Sequence, residues 1–271
     1  MQDEAINAYR SLNAWWSEAG VDVESLPKLA KTQNRETGKS DKPIKQPSPS
    51  LPPANQISTS KPTTHRLKEA VKLASDANDL EQLYSTIRNF DAGTLSHFAT
   101  QAVIARGNPK SDVMLIGEAP GIEEDEAGKP FIGPSGQFLD KMFASIELDE
   151  KNLYITNSVF WRPKGNRKPT DEEMKMCLPF VHRHIALIAP KILVTTGANS
   201  SKNLLGVDTG ITRLRGKWGQ YTIKNPDGSD SKTTIPVLPM FHPAFVLRKP
   251  ATKKDCWHDL LSLQETLESF K

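Results

Sequence analysis

"DVMLIGEAPGIEEDEAGKPFIGPSG" occupies residues 112–136 and decides the reading of the chain. Its first six residues are apolar enough for a buried strand. From Gly117 onward come five glycines, three prolines and five acids, so this part reads as a loop. Helical spacing resumes through "SGQFLDKMFASIE", and a helix is predicted over 135–147. A strand that opens into a turn-rich loop and then a helix suits a parallel α/β sheet. Such sheets bind ligands beyond the carboxyl ends of their strands.

The pattern repeats outward from this stretch. "NLYITNSV" (152–159), "KILVTTG" (191–197) and "IPVLPMF" (235–241) are further short apolar runs. Helical spacing fills 170–188, 198–205 and about 255–270, and Thr170 with Glu173 after Pro169 forms a capping box. Arg66 to Phe90 reads as helix, restarting at Asp79 as an N-cap ahead of Leu80, Leu83 and Ile87. Strands alternating with helices predict a three-layer αβα sandwich around a mostly parallel four-stranded central sheet. Its strand ends would present Glu118, Asn157, Thr195–Gly197 and His242 to one crevice.

Three segments are predicted. Residues 1–25 read as an amphipathic helix through Ile6, Tyr9, Leu12, Trp15 and Trp16, and its tryptophans ask for a protein partner to dock on. Residues 26–65 read as a disordered linker. Between Pro27 and Thr64 it carries seven prolines, no aromatics, and seven Lys/Arg against Glu36 and Asp41. That segment holds +5 of a net +3, so the rest of the chain is near −2. A basic tail adds salt-sensitive attraction to nucleic acid. Residues 66–271 form the folded body. No apolar run approaches the roughly 18 residues of a membrane span. Cys177 and Cys256 make no disulfide framework, so a cytoplasmic monomer is expected.

Three linked motifs, "GEAPGIEEDEAGKPFIG", "ITNSVFWRPKGNRKPTDEEMKMC" and "HPAFVLRKP", resemble the family 4 branch of the uracil-DNA glycosylase superfamily over roughly residues 90–270. The resemblance implies a monofunctional enzyme of base excision repair. It would flip uracil out of DNA and hydrolyse its N-glycosidic bond, leaving an abasic site.

The residue types suit that chemistry. Phe131 offers a flat apolar face inside a Gly/Pro loop, and the matching family residue stacks on uracil. Asn157 can accept from uracil N3–H and donate to O4, contacts that cytosine would refuse. His242 can donate to charge building on the departing base. The resemblance puts Glu118, Glu124 and Asp125 on motif positions. Glu118 and Asp125 are read as catalytic acids that manage water or sugar charge, and Glu124 as the group against the C5 edge that excludes thymine's methyl. Ala119 and Gly121 stand where the best-known branch of the superfamily has Asp and Tyr, as they do in family 4, and are read as base-pocket residues. Arg162, Asn166 and Arg167 suit phosphate contacts, with Leu247 as a wedge and Arg248 as a phosphate clamp.

One departure bears on cofactors. Typical family 4 enzymes hold a 4Fe–4S cluster on four cysteines. Here Gly93, Ser96 and Trp161 stand at three of those positions and only Cys177 remains, so no metal or cluster is expected. The region "GANSSKNLLGVDTGITRLRGKWGQY" after the third strand lacks the histidine of a covalently trapping relative, which excludes trapping. Two further readings bear on the same residues. A cluster-free, catalytically weak or inactive module of the same fold would bind DNA or a polymerase. Such a decayed enzyme should first lose Phe131, Asn157 or His242, and all three are present. A nucleotide-binding protein fits poorly, because the loop has no P-loop Lys-Ser/Thr.

Overall fold

Predominantly apolar strands form when both faces of a sheet are covered, and four strands carrying such apolar runs make the centre of this molecule. The computed structural model describes residues 63–270. The helix expected over 1–25, and the linker as far as residue 62, lie outside the described residues. In chain order the strands are β1 (Ala105–Gly107), β2 (Val113–Gly117), β3 (Leu153–Asn157), β4 (Ile192–Thr196), β5 (Gly219–Lys224) and β6 (Asp230–Met240). The helices are α1 (Thr63–Asp76), α2 (Leu80–Asn89), α3 (Thr94–Phe98), α4 (Ile122–Ala127), α5 (Pro134–Ala144), α6 (Asp171–Ile188), α7 (Ala198–Leu205), α8 (Ile211–Leu214), α9 (Pro243–Arg248) and α10 (Lys253–Glu268).

The sheet order is β1-β3-β2-β4-β6-β5. β3, β2, β4 and β6 run parallel, as expected for the four apolar runs. The sheet has six strands rather than four, because β1 and β5 add antiparallel edges. Neither edge is legible as a strand. β1 has only three residues, and β5, "GQYTIK", buries only Tyr221. The helix that begins at Thr63 also starts inside the stretch read as linker.

Alternation divides the buried strand residues between two faces. Met114, Ile116, Tyr154, Leu193 and Val237 join a core with residues of α1, α2 and α6. Their neighbours Val113, Leu115, Ile155, Ile192 and Val194 are just as buried and face the other way. Right-handed crossovers put α5 on that second face. Asp79 caps α2 by accepting from the Gln82 N–H, and Thr170 with Glu173 forms the expected box at α6. Because β2 sits between β3 and β4, the chain leaves it first to one side and later returns to the other. The crevice above β2 is therefore the switch point where such sheets bind ligands.

Candidate active site

A cavity of about 670 Å³ opens at that switch point. Among the residues that line it are Glu118, Ala119, Gly121, Glu124, Phe131, Asn157, Asn166, Arg167, His242 and Arg248. The structure thus brings together ten of the thirteen residues singled out from sequence. Asp125, Arg162 and Leu247 do not line it.

The loop after β2 is more ordered than its composition suggests. It contains α4, bounded by Gly121 and Gly128, with Glu123, Glu124 and Asp125 in the first turn, where the helix dipole favours acids. The Glu124 carboxylate accepts from the Gly121 N–H (3.0 Å), the Ile132 N–H (3.1 Å) and the Gly133 N–H (2.9 Å). One side chain therefore ties the start of α4 to the start of α5.

Phe131 stands on the far side of this loop with φ +55, a conformation that few non-glycine residues adopt. Arg106 of β1 holds it there. This buried guanidinium donates from Nε to the Pro130 carbonyl (2.9 Å) and from Nη2 to the Phe131 carbonyl (3.2 Å), while Nη1 pairs with Glu150 (2.7 Å). The Phe131 ring lies 5.8 Å from the His242 ring at 29°. Gly117 makes the arrangement possible. A methyl group there would sit 2.5 Å from the Phe131 ring and collide with the Asn157 amide oxygen.

Asn157 ends β3 and is buried, yet its Oδ1 has no hydrogen-bond partner. A buried acceptor left unpaired costs on the order of 1–3 kcal/mol, and Asn157 is one of the residues lining the cavity. His242 is the N-cap of α9. Its Nδ1 accepts from the Ala244 N–H at 3.2 Å, which leaves the proton of the neutral ring on Nε2. Burial, reinforced by the Arg248 charge and opposed by Glu124, pushes the His242 pKa down to about 4. The imidazole is therefore neutral near pH 7 and acts as an Nε2–H donor.

Two expectations need correction. Asp125, expected as a catalytic acid, does not line the cavity. It is 1% exposed, and its carboxylate accepts from the Thr100 N–H (2.8 Å) and hydroxyl (3.1 Å) and lies 3.6 Å from the Arg162 Nη1. Arg162 itself lies outside the cavity, with Nε donating to the Asn166 side chain at 2.6 Å. Arg167 does line the cavity, but its guanidinium forms a two-pronged bridge to Glu173 (2.6 and 2.8 Å). The two arginines of the basic loop expected on phosphate, Arg162 and Arg167, are thus engaged within the protein. Arg248 and the exposed Leu247 sit on α9 beside the mouth.

Sequence reasoning missed Arg106, Gly117 as a steric gap, and Asn199, which donates to Glu118. Gly117 carried a signal, since it closes the first strand at the loop mouth. Arg106 lies 25 residues from Phe131, on a strand too short to recognise.

These features match a known family. The Uracil DNA glycosylase superfamily matches residues 104–261. The chain is similar to a "Type-4 uracil-DNA glycosylase" of Pyrobaculum aerophilum, 36% identical over 182 residues that span 67% of this chain and 91% of that protein. It is similar to another of that name from Saccharolobus solfataricus, 34% identical over 200 residues, spanning 71% and 88%. A "DNA polymerase" of Bacillus phage SP01 is 30% identical over 176 residues, which cover 65% of this chain and 18% of that protein. The chain belongs to the uracil-DNA glycosylase superfamily.

The iron–sulfur cluster expected of typical family 4 members does not fit the residues present. A side chain at Gly93 would meet the Arg66 guanidinium at 2.8 Å. Ser96 donates its hydroxyl to the Gly93 carbonyl. Trp161 is buried, 6.1 Å from each of Phe90 and Phe160, and Phe180 stands edge-on to Phe90 at 5.1 Å. Cys177 is buried, and burial pushes its thiol up to about 12; one cysteine alone supplies too few ligands for a four-cysteine cluster. Among the described residues, no group of three or more His, Cys, Asp or Glu is placed to hold a metal, and no helix is long and apolar enough to cross a membrane.

Proposed function

We propose that this chain is a monofunctional uracil-DNA glycosylase that needs no cluster. The unpaired Oδ1 of Asn157 carries the reading. It is a buried acceptor at the cavity floor, and uracil N3–H is the donor that fits it. The amide nitrogen would donate to O4, and Phe131 would stack on the ring. Cytosine has no N3–H and would leave Oδ1 unpaired, the costliest mismatch for a small polar pocket. Glu124 lines the cavity where a C5 methyl would have to pass.

Cleavage breaks the N1–C1′ bond, and its electron pair leaves with the base. His242 Nε2–H donates to O2 and stabilises the resulting uracil anion. A neutral donor suits this step, since it need not lose a full charge. Glu118 orients water toward C1′. The water oxygen bonds to the sugar and releases its proton to solvent, and the uracil anion takes a proton up from solvent, yielding an abasic site and free uracil. Leu247 fills the gap in the stack, and Arg248 contacts the backbone. The aromatic group of Phe90, Phe160, Trp161 and Phe180 fills the region where typical members hold a cluster. A cytoplasmic monomer acting in base excision repair, with the N-terminal segment as a docking element, completes the proposal.

Purified protein and an Asn157→Ala variant, incubated with oligonucleotides carrying one uracil opposite guanine or adenine, test it. Alkali-sensitive strand breaks made by the native protein alone, in a sample free of iron and sulfide, are expected. Tight DNA binding without breaks would overturn the enzyme reading in favour of a DNA-binding module.

A further inference from the structure

Glu118 and Asn199 come from different strand ends and meet inside the cavity. Glu118 is the first residue after β2, and Asn199 is the second residue of α7, which follows β4. β2 and β4 are adjacent parallel strands, so both side chains reach into the same crevice. The Asn199 Nδ2 donates to Glu118 Oε1 at 2.9 Å, and both residues are half-buried.

Both partners stand on rigid supports. The Gly117 and Glu118 carbonyls accept from the Ser158 and Val159 N–H groups (2.9 and 3.0 Å), which fixes the Glu118 backbone against the end of β3. The start of α7 is pinned by three hydroxyl contacts. Ser200 donates to the Thr196 carbonyl (2.7 Å), Ser201 donates to the Gly197 carbonyl (2.7 Å), and the Thr195 and Ser201 hydroxyls pair at 2.8 Å. The Gly197 N–H donates to the Met240 carbonyl at 2.9 Å, which ties α7 to the strand that delivers His242. The Glu118 side-chain torsions alone remain loose, and Asn199 restrains them. Among the described residues no donor holds Oε2, which is left to the cavity.

The residue type is informative. The first turn of a helix favours an acid. An acid at 199 would place two carboxylates against each other, whereas an amide supplies the donor a carboxylate needs. The other charged or titratable groups lining this cavity are Glu123, Glu124, Arg167, Lys168, His242 and Arg248, and none has a hydrogen bond to Glu118 among the described residues.

We infer that Asn199 is a positioning residue. By holding Oε1, its amide aims Oε2 at the water that attacks C1′. This inference rests on the proposed role of Glu118. Asn199→Ala, Asn199→Asp, Glu118→Gln and the Glu118→Gln/Asn199→Ala double variant would be compared in single-turnover cleavage of uracil DNA, with KM and thermal midpoint measured alongside. Loss of one such hydrogen bond predicts about a tenfold fall in kcat for Asn199→Ala, with KM and midpoint unchanged. Asn199→Asp, equal in shape but unable to donate, should fall further. In the Glu118→Gln background the alanine change should add little. Equal losses in both backgrounds, an aspartate variant as active as native, or a raised KM with native kcat would each overturn the inference. Full activity of Glu118→Gln is a different failure, because it removes the water role of Glu118 itself and Asn199 falls with it.

Discussion

Two loops leave neighbouring strand ends, and they use their charges differently. The acid loop after β2 spends Glu124 on three backbone N–H groups, so the chain itself is laced together. The basic loop after β3 spends Arg162 and Arg167 on side chains, Asn166 and Glu173, at exposed positions. Backbone lacing fixes the wall against which Phe131 stands. Exposed side-chain pairs are worth little and can exchange partners. The base pocket is therefore built stiff and the rim adaptable. In both loops the most conspicuous charges are engaged within the protein, while the buried Asn157 Oδ1 has no hydrogen-bond partner.

The largest effect should come from the stiff wall. Asn157→Ala should lower kcat/KM on uracil DNA on the order of 10²–10³-fold, because it deletes the base-reading contacts. A loss under tenfold would mean that the wall does not read the base. Next comes the lacing itself. Glu124→Ala, which frees three N–H groups, should cost about 2–3 kcal/mol of unfolding free energy by denaturant titration. It should also lower cleavage, while Arg167→Ala should cost about 1 kcal/mol or less.

A third test concerns the core under α6. His184 and His182 donate to or accept from the Tyr154 and Tyr221 hydroxyls at 2.6 Å, and burial lowers their pKa values to about 3 and about 4. Both are neutral when folded but protonate near pH 6.5 when unfolded. The unfolded state thus binds more protons below pH 6.5. Stability should fall as pH drops from there toward about 4, by up to about 1.4 kcal/mol per pH unit for each histidine. Melting curves should show that slope, and His184→Gln should flatten it. The smallest effect belongs to the rim. Arg248→Ala should reduce the salt dependence of DNA binding by about one ion, whereas Arg167→Ala should leave the slope unchanged.

The parallel centre of the sheet was legible because four apolar runs alternate with capped helices, and the expected bounds differ by a residue or two at most ends. The edges were not, since Ala105–Gly107 is too short to show a period and Gly219–Lys224 is half polar. At the site, strand-end position pointed to Asn157 and His242 and the motif to Phe131, and all three line the cavity. Glu124 and Asp125 are adjacent acids on one short helix turn and look alike in sequence, yet only one of them lines the cavity. Glu124 lines the cavity, whereas Asp125 is buried and does not. Arg106 and Asn199 act across 25 and 81 residues of chain, and no local pattern reports such contacts.

Asp125, set aside as a catalyst, has another consequence. One buried carboxylate joins the acid loop, the turn at Thr100 and Arg162 of the basic loop. Loops fastened at a shared point do not bind independently, and linkage between two ligands is reciprocal. On the proposed reading, with a base in the cavity and a DNA backbone on the basic loop, that shared carboxylate would couple the two, and the coupling would be equal read from either side.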